Sequence, residues 1–260
     1  TMRILITGDK GFIGRNLKTK LKDLGHEVMG MDIKSDQILD DISTEINVEC
    51  ELKNTKPDAI IHLAALAGVR KSLEVPDQYY KTNITGTHWL LKWAVRTGVK
   101  KFLFASSSSV YGDNESPLKE NMKCDSQLSP YAVSKKAGEM LCKMYSKKLP
   151  VIVFRPFTVY GENGRADMVV GQLRNAIKTK AEFVKYGKGE SARGYTHVDD
   201  LCEGIIKLLD HEPKNNFDLF NIGGAEVITL NQLIEIVKSK YPDLKIREVE
   251  MPEVDVPYSY

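Results

Sequence analysis

The sequence is poor in cysteine and has no long apolar run, and both features limit the class of protein. Four cysteines occur in 260 residues, and none forms a Cys-x-x-Cys pair. We therefore expect reduced thiols in a cytoplasmic protein, without a disulfide framework or a zinc site. The longest largely apolar stretch, residues 59–69, is too short to cross a bilayer, and no apolar signal region lies ahead of the first strand pattern. Neither a membrane nor a metal ion is an expected partner.

The sequence also lacks a strong charge of either sign. Its 37 lysines and arginines nearly balance its 35 aspartates and glutamates, which leaves a net charge of +2. Such a balance provides no broad positive surface for DNA or RNA, so nucleic acid is not an expected partner. A small polyanionic ligand needs only a few local cations and stays compatible with this composition. Because 42% of the residues are hydrophobic, the chain can bury a substantial core.

Short apolar runs alternate with helical patterns over the first part of the chain. The apolar runs predict strands at residues 4–7, 28–32, 59–64, 101–106 and 151–155. The intervening patterns predict helices at residues 11–24, 75–97 and 129–147. Nearly continuous apolar, often β-branched strands that alternate with helices are typical of a parallel sheet covered on both faces.

After residue 160 the alternation becomes less regular. The patterns predict helices at residues 167–178, 198–210 and 230–240, with strands near residue 221 and at residues 245–249. We therefore assign residues 1–160 to an α/β domain and residues 161–260 to a smaller C-terminal substrate lobe. A segment near residues 190–210 is expected to return to the first domain.

A glycine motif follows the first predicted strand, and its members are Gly8, Gly11 and Gly14. Glycines between a strand and a helix allow a tight turn, a close approach of the backbone to a pyrophosphate and close packing of helix on strand. The motif predicts a Rossmann-type, doubly wound domain that binds a dinucleotide. The next strand ends at Asp32, whose carboxylate suits the ribose hydroxyls of NAD, although the cations Arg15 and Lys34 nearby leave NADP open.

Tyr131 and Lys135 lie four residues apart in a helical pattern and therefore share one helix face. A phenol with a usual pKa of about 10 needs a cationic neighbour to act as a base at neutral pH. Tyr241 and Lys245 have the same spacing, but Pro242 lies between them, and we interpret that pair as coincidence. A serine-rich segment, residues 106–109, follows the fourth predicted strand, where hydroxyls would face a ligand crevice.

Taken together, these motifs resemble the extended short-chain dehydrogenase/reductases, specifically the NAD-dependent sugar epimerase/dehydratase family. The matching segments appear in the family order and cover the chain: TGDKGFIG at 7–14, HLAA at 62–65, NITGT at 83–87, SSSVYG at 107–112, YAVSK at 131–135 and RPFTVYG at 155–161. The closest resemblance is to UDP-glucuronate 4-epimerases, through AGVRKS at 67–72 and GRADM at 164–168.

The resemblance implies a role for each matching position. The catalytic residues would be Ser107, Tyr131 and Lys135. The NAD site would comprise Gly8, Gly11, Phe12, Ile13, Gly14, Asp32, Asp41, Ile42, Leu63, Ala64, Ala65, Asn83, Tyr131, Lys135 and Pro156, with Asp41 and Ile42 at the adenine. The substrate site would comprise Arg70, Ser107, Ser108, Ser109, Thr158, Arg165 and Arg193, with Arg193 at the nucleotide phosphates.

The implied reaction is a 4-epimerization of a UDP-sugar, most directly of UDP-glucuronate to UDP-galacturonate, through a transient 4-keto sugar. Dehydratases of the family carry Asp-Glu where this chain has Ser108 and Ser109, and nucleotide-glucuronate decarboxylases carry Glu at the second position, which argues against both reactions. Arg165, with Ser108, Ser109 and Thr158, could hold a sugar carboxylate. Two alternatives stay open: a 4-epimerase of a neutral UDP-sugar (glucose/galactose or the N-acetyl forms), and a non-catalytic NAD-binding sensor.

The resemblance carries two further expectations. The helices predicted at residues 75–97 and 129–147 would pair two subunits into a homodimer. Residues 251–260 resemble the family segment that precedes a final helix-containing stretch of the sugar lobe, so the lobe is expected to lack its usual C-terminal end.

Overall fold

The computed structural model describes residues 1–34, 38–39, 41–251 and 256–260. The strands in chain order are β1 (Arg3–Thr7), β2 (Glu27–Asp32), β3 (Ile38–Leu39), β4 (Ala59–His62), β5 (Lys101–Ala105), β6 (Val151–Pro156), β7 (Thr158–Tyr160), β8 (Phe183–Tyr186), β9 (Ala192–His197), β10 (Phe217–Ile222), β11 (Val227–Thr229), β12 (Ile246–Val249) and β13 (Tyr258–Ser259). The α-helices are α1 (Phe12–Asp23), α2 (Glu45–Leu52), α3 (Val69–Glu74), α4 (Pro76–Tyr79), α5 (Gly86–Thr97), α6 (Pro130–Tyr145), α7 (Val169–Thr179), α8 (Val198–Asp210) and α9 (Leu230–Lys240).

The main sheet is parallel throughout and, within the described residues, has the strand order β10-β6-β5-β4-β1-β2-β3. The order runs outward from β1 in two directions, so the sheet has a switch point between β1 and β4. Ligands of open parallel sheets bind in the crevice beyond the carboxyl ends of the strands at such a point. The fold therefore places a binding crevice beside the glycine motif.

Helices cover both faces of this sheet, as the apolar strands predict. On one face α1 and α8 pack a core that includes Leu17, Leu21 and Ile205 against β1, β4 and β6. On the other face α2, α5 and α6 pack around Trp93 and Phe104, both fully buried. The Rossmann-type, doubly wound fold class is confirmed.

A smaller lobe follows β6. Its sheet strands are β9, which pairs with β7, β11 and β13, and the separate parallel pair β8 and β12. Helices α7 and α9 close over an apolar cluster that includes Leu173, Phe183 and Ile234. The lobe thus has a small core of its own.

The chain returns from this lobe to the main sheet over a longer segment than residues 190–210. Helix α8 covers one sheet face, and β10 then adds to the sheet edge, pairing in parallel with β6 from Phe217 opposite Val151 to Ile222 opposite Pro156. The predicted lobe of residues 161–260 therefore needs correction at β10, whose pairing with β6 is long-range and leaves no local signal. The division into two parts itself stays a prediction.

The helix predicted at residues 75–97 is also corrected. It consists of α4, a π-helical segment (Tyr80–Thr85) and α5 in one run. The π-helical segment holds the buried Asn83, whose backbone carbonyl accepts a hydrogen bond from the Thr87 hydroxyl at 2.6 Å. Single-turn π segments inside helices are frequent at functional sites.

Gly138 permits the close approach of α6 to β5. A Cβ atom at Gly138 would lie 2.4 Å from the Phe104 ring, which is buried beneath α6. We predict that Gly138→Ala lowers the free energy of unfolding by about 1–3 kcal/mol, because the core must shift to admit the methyl group. The matched control is Gly204→Ala on α8, where the nearest atoms are Ile222 side-chain carbons at 3.3 Å. Denaturant unfolding should show little loss for the control, and equal losses would contradict the account.

Candidate active site

A tight glycine turn joins β1 to α1 at the switch point of the sheet. Gly8 has a φ of +78°, and a Cβ atom there would lie 2.8 Å from the amide nitrogen of Ala64. A Cβ atom at Gly14 would lie 2.1 Å from the carbonyl oxygen of Gly8. Gly11 begins α1 without a side-chain cap, so amide groups at this helix end are available to an anion. The turn therefore fits the pyrophosphate of a dinucleotide.

Asp32 stands beside this turn at the end of β2. Its carboxylate accepts hydrogen bonds from the amides of Lys10, at 3.2 Å, and Lys34, at 3.0 Å. A carboxylate at this position can accept from ribose hydroxyls and repels a 2′-phosphate. The geometry therefore fits NAD.

The other predicted cofactor residues lie along the same edge. Those at the start of α1, just after β4 and at the end of β6 are all partly exposed: Phe12, Ile13, Leu63, Ala64, Ala65 and Pro156. Asp41 accepts hydrogen bonds from the amide and the hydroxyl of Ser43, both at 2.9 Å, and Ile42 is buried against Gly86. Contacts of these residues with the cofactor stay predictions.

A buried hydrogen-bond chain through His62 links this edge to the helix above it. The Thr87 hydroxyl donates to the Asn83 carbonyl, so its oxygen can only accept from Nε2 of His62, at 2.9 Å. Burial keeps His62 neutral, so its single ring proton lies on Nε2. Nδ1 of His62 then accepts from the Thr7 hydroxyl, at 2.7 Å, whose oxygen in turn accepts from the Ala64 amide. Burial, with a smaller effect from the charge of Lys135, lowers the pKa of His62 to about 3.

The hydrogen-bond chain continues from Asn83 to α6. The Asn83 side chain accepts from the amide of Leu66 at 2.8 Å and donates to the Leu66 carbonyl at 2.9 Å. It also donates to the Ser134 hydroxyl at 2.9 Å, and that hydroxyl donates to the Tyr131 carbonyl at 2.7 Å. Every donor in this path has an acceptor. The cofactor edge and the first turn of α6 are therefore held in one register.

The first turn of α6 positions Tyr131. Ser129 caps the helix by accepting from the Ala132 amide at 3.2 Å, and Pro130 occupies the first helical position. Tyr131 therefore lies near the positive end of the helix, which favours a phenolate. Burial nevertheless raises the pKa of Tyr131, while hydrogen bonding by Ser107 and the charge of Arg165 oppose this effect.

Ser107 is buried at the end of β5 and is oriented by its own turn. Its Oγ accepts a hydrogen bond from the Ser109 amide at 3.1 Å, which leaves its proton for the phenol or for a bound substrate. The predicted grouping of Ser107 with Tyr131 thus has a geometric basis. Their catalytic roles remain a proposal.

Lys135 lies one turn further along α6. Its Nζ donates to the Ala105 carbonyl at 2.8 Å, and burial lowers its pKa to about 8. The charge of Arg165 acts to lower the pKa of Tyr131. The lysine is therefore anchored to the end of β5, and its predicted pairing with Tyr131 stays a prediction.

A buried ion pair braces α6, which carries Tyr131 and Lys135, against β6. Glu139 on α6 accepts two hydrogen bonds from Arg155 on β6, both at 2.8 Å, and a third from the hydroxyl of Ser106 at 2.5 Å. Burial acts against both charges, but the mutual hydrogen bonds outweigh it, so the pKa of Glu139 is lowered and that of Arg155 is raised. Glu139 follows Lys135 by four residues, and this spacing was the available signal for its role.

Arg165 extends toward Tyr131 from the loop between β7 and α7. A Cβ atom at Gly68, whose φ is +115°, would lie 3.3 Å from the Arg165 Nη2 and 3.6 Å from the Tyr79 hydroxyl. The Tyr79 ring in turn packs edge-on against the Tyr131 ring, with centroids 6.2 Å apart. Tyr79 was not predicted, and nothing in its sequence setting marks it.

The remaining predicted substrate residues are spread around the crevice. Ser108, Ser109 and Thr158 are partly exposed at the ends of β5 and at β7. Arg70 on α3 lies 4.1 Å from the ring centroid of Tyr186 in the lobe, which links the two parts. Arg193 on β9 donates to the backbone carbonyls of Val256 and Pro257. Its predicted contact with the nucleotide phosphates stays a prediction.

Two further observations concern metal ions and membranes. Among the described residues, no cluster of histidine, cysteine or carboxylate side chains could hold a metal ion. Within the same ranges, no helix is both long and apolar enough to span a bilayer.

The fold and this site define a class: an NAD-binding protein of the extended short-chain dehydrogenase/reductase type. The model of the NAD dependent epimerase/dehydratase family matches residues 4–223. The chain belongs to this family, is an enzyme and uses NAD as its cofactor.

Relatives with described activities extend over most of the chain. It is 36% identical over 258 aligned residues to the UDP-glucuronate 4-epimerase of Thermodesulfobacterium geofontis, covering 90% of this chain and 79% of that protein. The UDP-glucuronic acid 4-epimerase of Bacillus cereus, solved with UDP-glucuronic acid and NAD, is 29% identical with a TM-score of 0.90, covering 100% of this chain and 90% of that one. The UDP-glucose 4-epimerase of Thermotoga maritima, solved with UDP-glucose, is 31% identical with a TM-score of 0.91, covering 99% and 89%.

The neutral state of His62 predicts a specific pH dependence of stability. Its pKa is about 3 when folded against 6.5 for an ordinary histidine, so the unfolded chain binds the extra proton first. The contribution of neutral His62 to the free energy of unfolding is complete above pH 6.5. It is lost as the pH falls toward 3, by about 1.4 kcal/mol per pH unit. His62→Gln, which does not titrate, should lose less unfolding free energy than wild type between pH 7 and pH 4.

Denaturant titrations at a series of pH values measure this difference. His26→Gln is the control, because His26 lies partly exposed at the surface, and its curve should parallel that of the wild type. If the His62→Gln curve also runs parallel to wild type, His62 is not the neutral buried group described above.

Proposed function

We propose that the protein catalyses the NAD-dependent 4-epimerization of a UDP-sugar, and that the substrate is UDP-glucuronate, converted to UDP-galacturonate. The observation that carries this proposal is that the Arg165 guanidinium and the Tyr79 hydroxyl lie against the same glycine, Gly68, while the Tyr79 ring packs on Tyr131. The Arg165 charge also acts to lower the pKa of Tyr131. A base that acts at carbon 4 of the sugar stands close to the substituent on carbon 5, which is a carboxylate in a uronic acid. A guanidinium next to that carboxylate can form two parallel hydrogen bonds with it.

The chain's own residues supply the proton chemistry of the reaction. Tyr131 takes the proton of the sugar 4-hydroxyl, and Ser107 donates a hydrogen bond that keeps the reacting oxygen in place. NAD, when bound, supplies the hydride acceptor and then the hydride donor. The resulting 4-keto sugar would turn over in the site, and Tyr131 would return the proton to its carbon-4 oxygen. The reaction has no net oxidation.

A carboxylate clamp would also protect the intermediate. The 4-keto form of a uronic acid is a β-keto acid, which readily loses carbon dioxide. A grip on the carboxylate by Arg165, Ser108, Ser109 and Thr158 would keep it out of the geometry for cleavage. The two serines also provide no carboxylic acid for dehydration, which supports epimerization over that reaction.

A neutral UDP-sugar is the second candidate, and one contact favours it. Arg165 pairs with Asp167 within its own loop, so the local charge is balanced. The likeness to the UDP-glucose 4-epimerase of Thermotoga maritima points the same way. A non-catalytic sensor is disfavoured, because a sensor needs no oriented Ser107 and Tyr131.

Purified protein incubated separately with UDP-glucuronate, UDP-glucose and UDP-N-acetylglucosamine separates the two substrate classes. Chromatography should show UDP-galacturonate and no UDP-pentose. Arg165→Ala should lower turnover of UDP-glucuronate about 10- to 100-fold more than turnover of neutral sugars, because only the uronic acid loses a hydrogen bond to a charged group, whereas both lose the effect of the Arg165 charge on Tyr131. Equal wild-type activity on neutral sugars would overturn the uronic acid proposal.

Tyr131→Phe tests catalysis itself. We predict a loss of turnover of about 10²- to 10⁴-fold, because the variant cannot transfer the proton, with NAD still bound. Progress curves and the bound NAD content of the same preparation measure the two effects. Tyr160→Phe, a partly exposed tyrosine on β7, is the control and should retain activity. Undiminished turnover in Tyr131→Phe would contradict the assignment.

We also propose a homodimer formed through the run from α4 to α5 and through α6. The outer face of α6 exposes a row of apolar side chains, Val133 at 41%, Met140 at 65% and Met144 at 54%. Residues at this spacing share one helix face, and a second copy could cover them. Light scattering should report a dimer for wild type.

The variant Met140→Glu with Met144→Glu should be a monomer, because it places charges in the proposed contact. The control is Ile236→Glu on α9, where the isoleucine is 57% exposed in the lobe, and it should stay dimeric. A wild-type monomer would refute the proposed contact.

We place the protein in the cytoplasm on the basis of its thiols. Cys50, Cys124, Cys142 and Cys202 are all free, and three of them are buried. Thiols that persist unpaired suit a reducing compartment. Cell fractionation with an antibody to the chain tests this assignment.

A further inference from the structure

The loop that carries Arg165 also contains its partner. Arg165 donates from Nε to one carboxylate oxygen of Asp167 at 2.9 Å and from Nη2 to the other oxygen. The hydrogen bonds of Arg165 lower the pKa of the Asp167 carboxyl, which is therefore ionised at neutral pH. The pair is side-on and bidentate, the arrangement that fixes a guanidinium plane most firmly.

The stability of the fold does not explain this pair. Side-chain exposure is 61% for Asp167 and 32% for Arg165, and pairs this exposed contribute about 1 kcal/mol or less. Both residues belong to the loop after β7, two positions apart, so the pair connects no separate elements. The main effect of the contact is therefore on the orientation of the Arg165 guanidinium.

The contact leaves one end of the guanidinium for a second anion. Among the described residues, Nη1 of Arg165 makes no hydrogen bond, whereas Nε and Nη2 are engaged by Asp167. The Nη2 side lies against Gly68, and the Tyr79 hydroxyl shapes this wall by bonding the carbonyls of Ala67 and Gly68 at 3.0 and 3.1 Å. The guanidinium is therefore held between a carboxylate on one edge and a backbone wall, next to Tyr131.

We propose that Asp167 is a specificity-determining positioning residue: it fixes Arg165 by its Nε/Nη2 edge so that the remaining end meets the carboxylate of a UDP-uronic acid. This inference rests on the proposed function. Without Asp167, Arg165 keeps its charge but loses its fixed direction. Binding of a carboxylate then depends on a mobile cation, and the β-keto acid intermediate is no longer held away from the geometry for decarboxylation.

Asp167→Asn tests the inference, because the amide keeps the size of the side chain and removes the charge. We expect turnover of UDP-glucuronate to fall at least about 10-fold relative to wild type, the effect of a lost charged hydrogen bond. UDP-pentose should appear as a side product. The dissociation constant of UDP-glucose should change less than about twofold. Glu162→Gln, an exposed acid of the same loop, is the matched charge control and should behave as wild type.

A double-mutant cycle separates positioning from general damage to the loop. In the Arg165→Lys background the side chain cannot form the two-bond contact, so adding Asp167→Asn should have little further effect. Equal losses on UDP-glucuronate and UDP-glucose, or a wild-type product ratio in Asp167→Asn, would overturn the inference. So would tighter binding of UDP-glucuronate without UDP-pentose.

The wild-type arm keeps this inference apart from the proposed function. If wild type converts UDP-glucuronate and Asp167→Asn matches it, the inference fails and the function stands. If wild type fails to convert UDP-glucuronate, the function fails. The inference is then decided by whether Asp167→Asn weakens equilibrium binding of UDP-glucuronate relative to UDP-glucose.

Discussion

The hydrogen-bond chain through His62 is the constraint on which the rest of the site depends. It begins at the Ala64 amide, which also limits the space at Gly8, and it ends at the backbone carbonyl of Tyr131. Each donor in the chain has one acceptor, so the proton order is fixed only while His62 is neutral. Because a buried polar group without a partner is costly, the cofactor edge and the catalytic turn cannot shift independently. The fold therefore holds the cofactor edge and the first turn of α6 in one arrangement.

Charge in the site is arranged around the tyrosine in layers. Lys135 is anchored to the Ala105 carbonyl, and the charge of Arg165, from the loop after β7, acts to lower the pKa of the phenol. Below them the buried pair of Glu139 and Arg155 braces α6 against β6. The loop after β7 thus acts electrostatically on Tyr131 and also carries the arginine proposed to recognise the sugar. The proposed proton transfer and the proposed choice of substrate therefore both depend on Arg165.

Sequence patterns predicted those parts of the molecule that depend on local order. The five strands from residues 4 to 155 follow from apolar runs, and Tyr131 and Lys135 follow from helical spacing. Strands β8 and β9 were missed because polar or small residues interrupt their apolar runs, namely Lys185 in β8 and Arg193 and Gly194 in β9. The pairing of β10 with β6 is long-range and leaves no local trace. The contacts of Tyr79 and Asp167 depend on where loops meet, so spacing alone could not reveal them.

The central claim is that hydride leaves carbon 4 of the sugar and returns to the same carbon on the other face, while Tyr131 handles the proton. The most direct test uses UDP-glucuronate that carries deuterium at carbon 4, with the products resolved by mass spectrometry and NMR. The account predicts UDP-galacturonate that retains the deuterium at carbon 4, since the hydride never exchanges with water. Loss of the label to solvent, or recovery of the substrate alone, would contradict it.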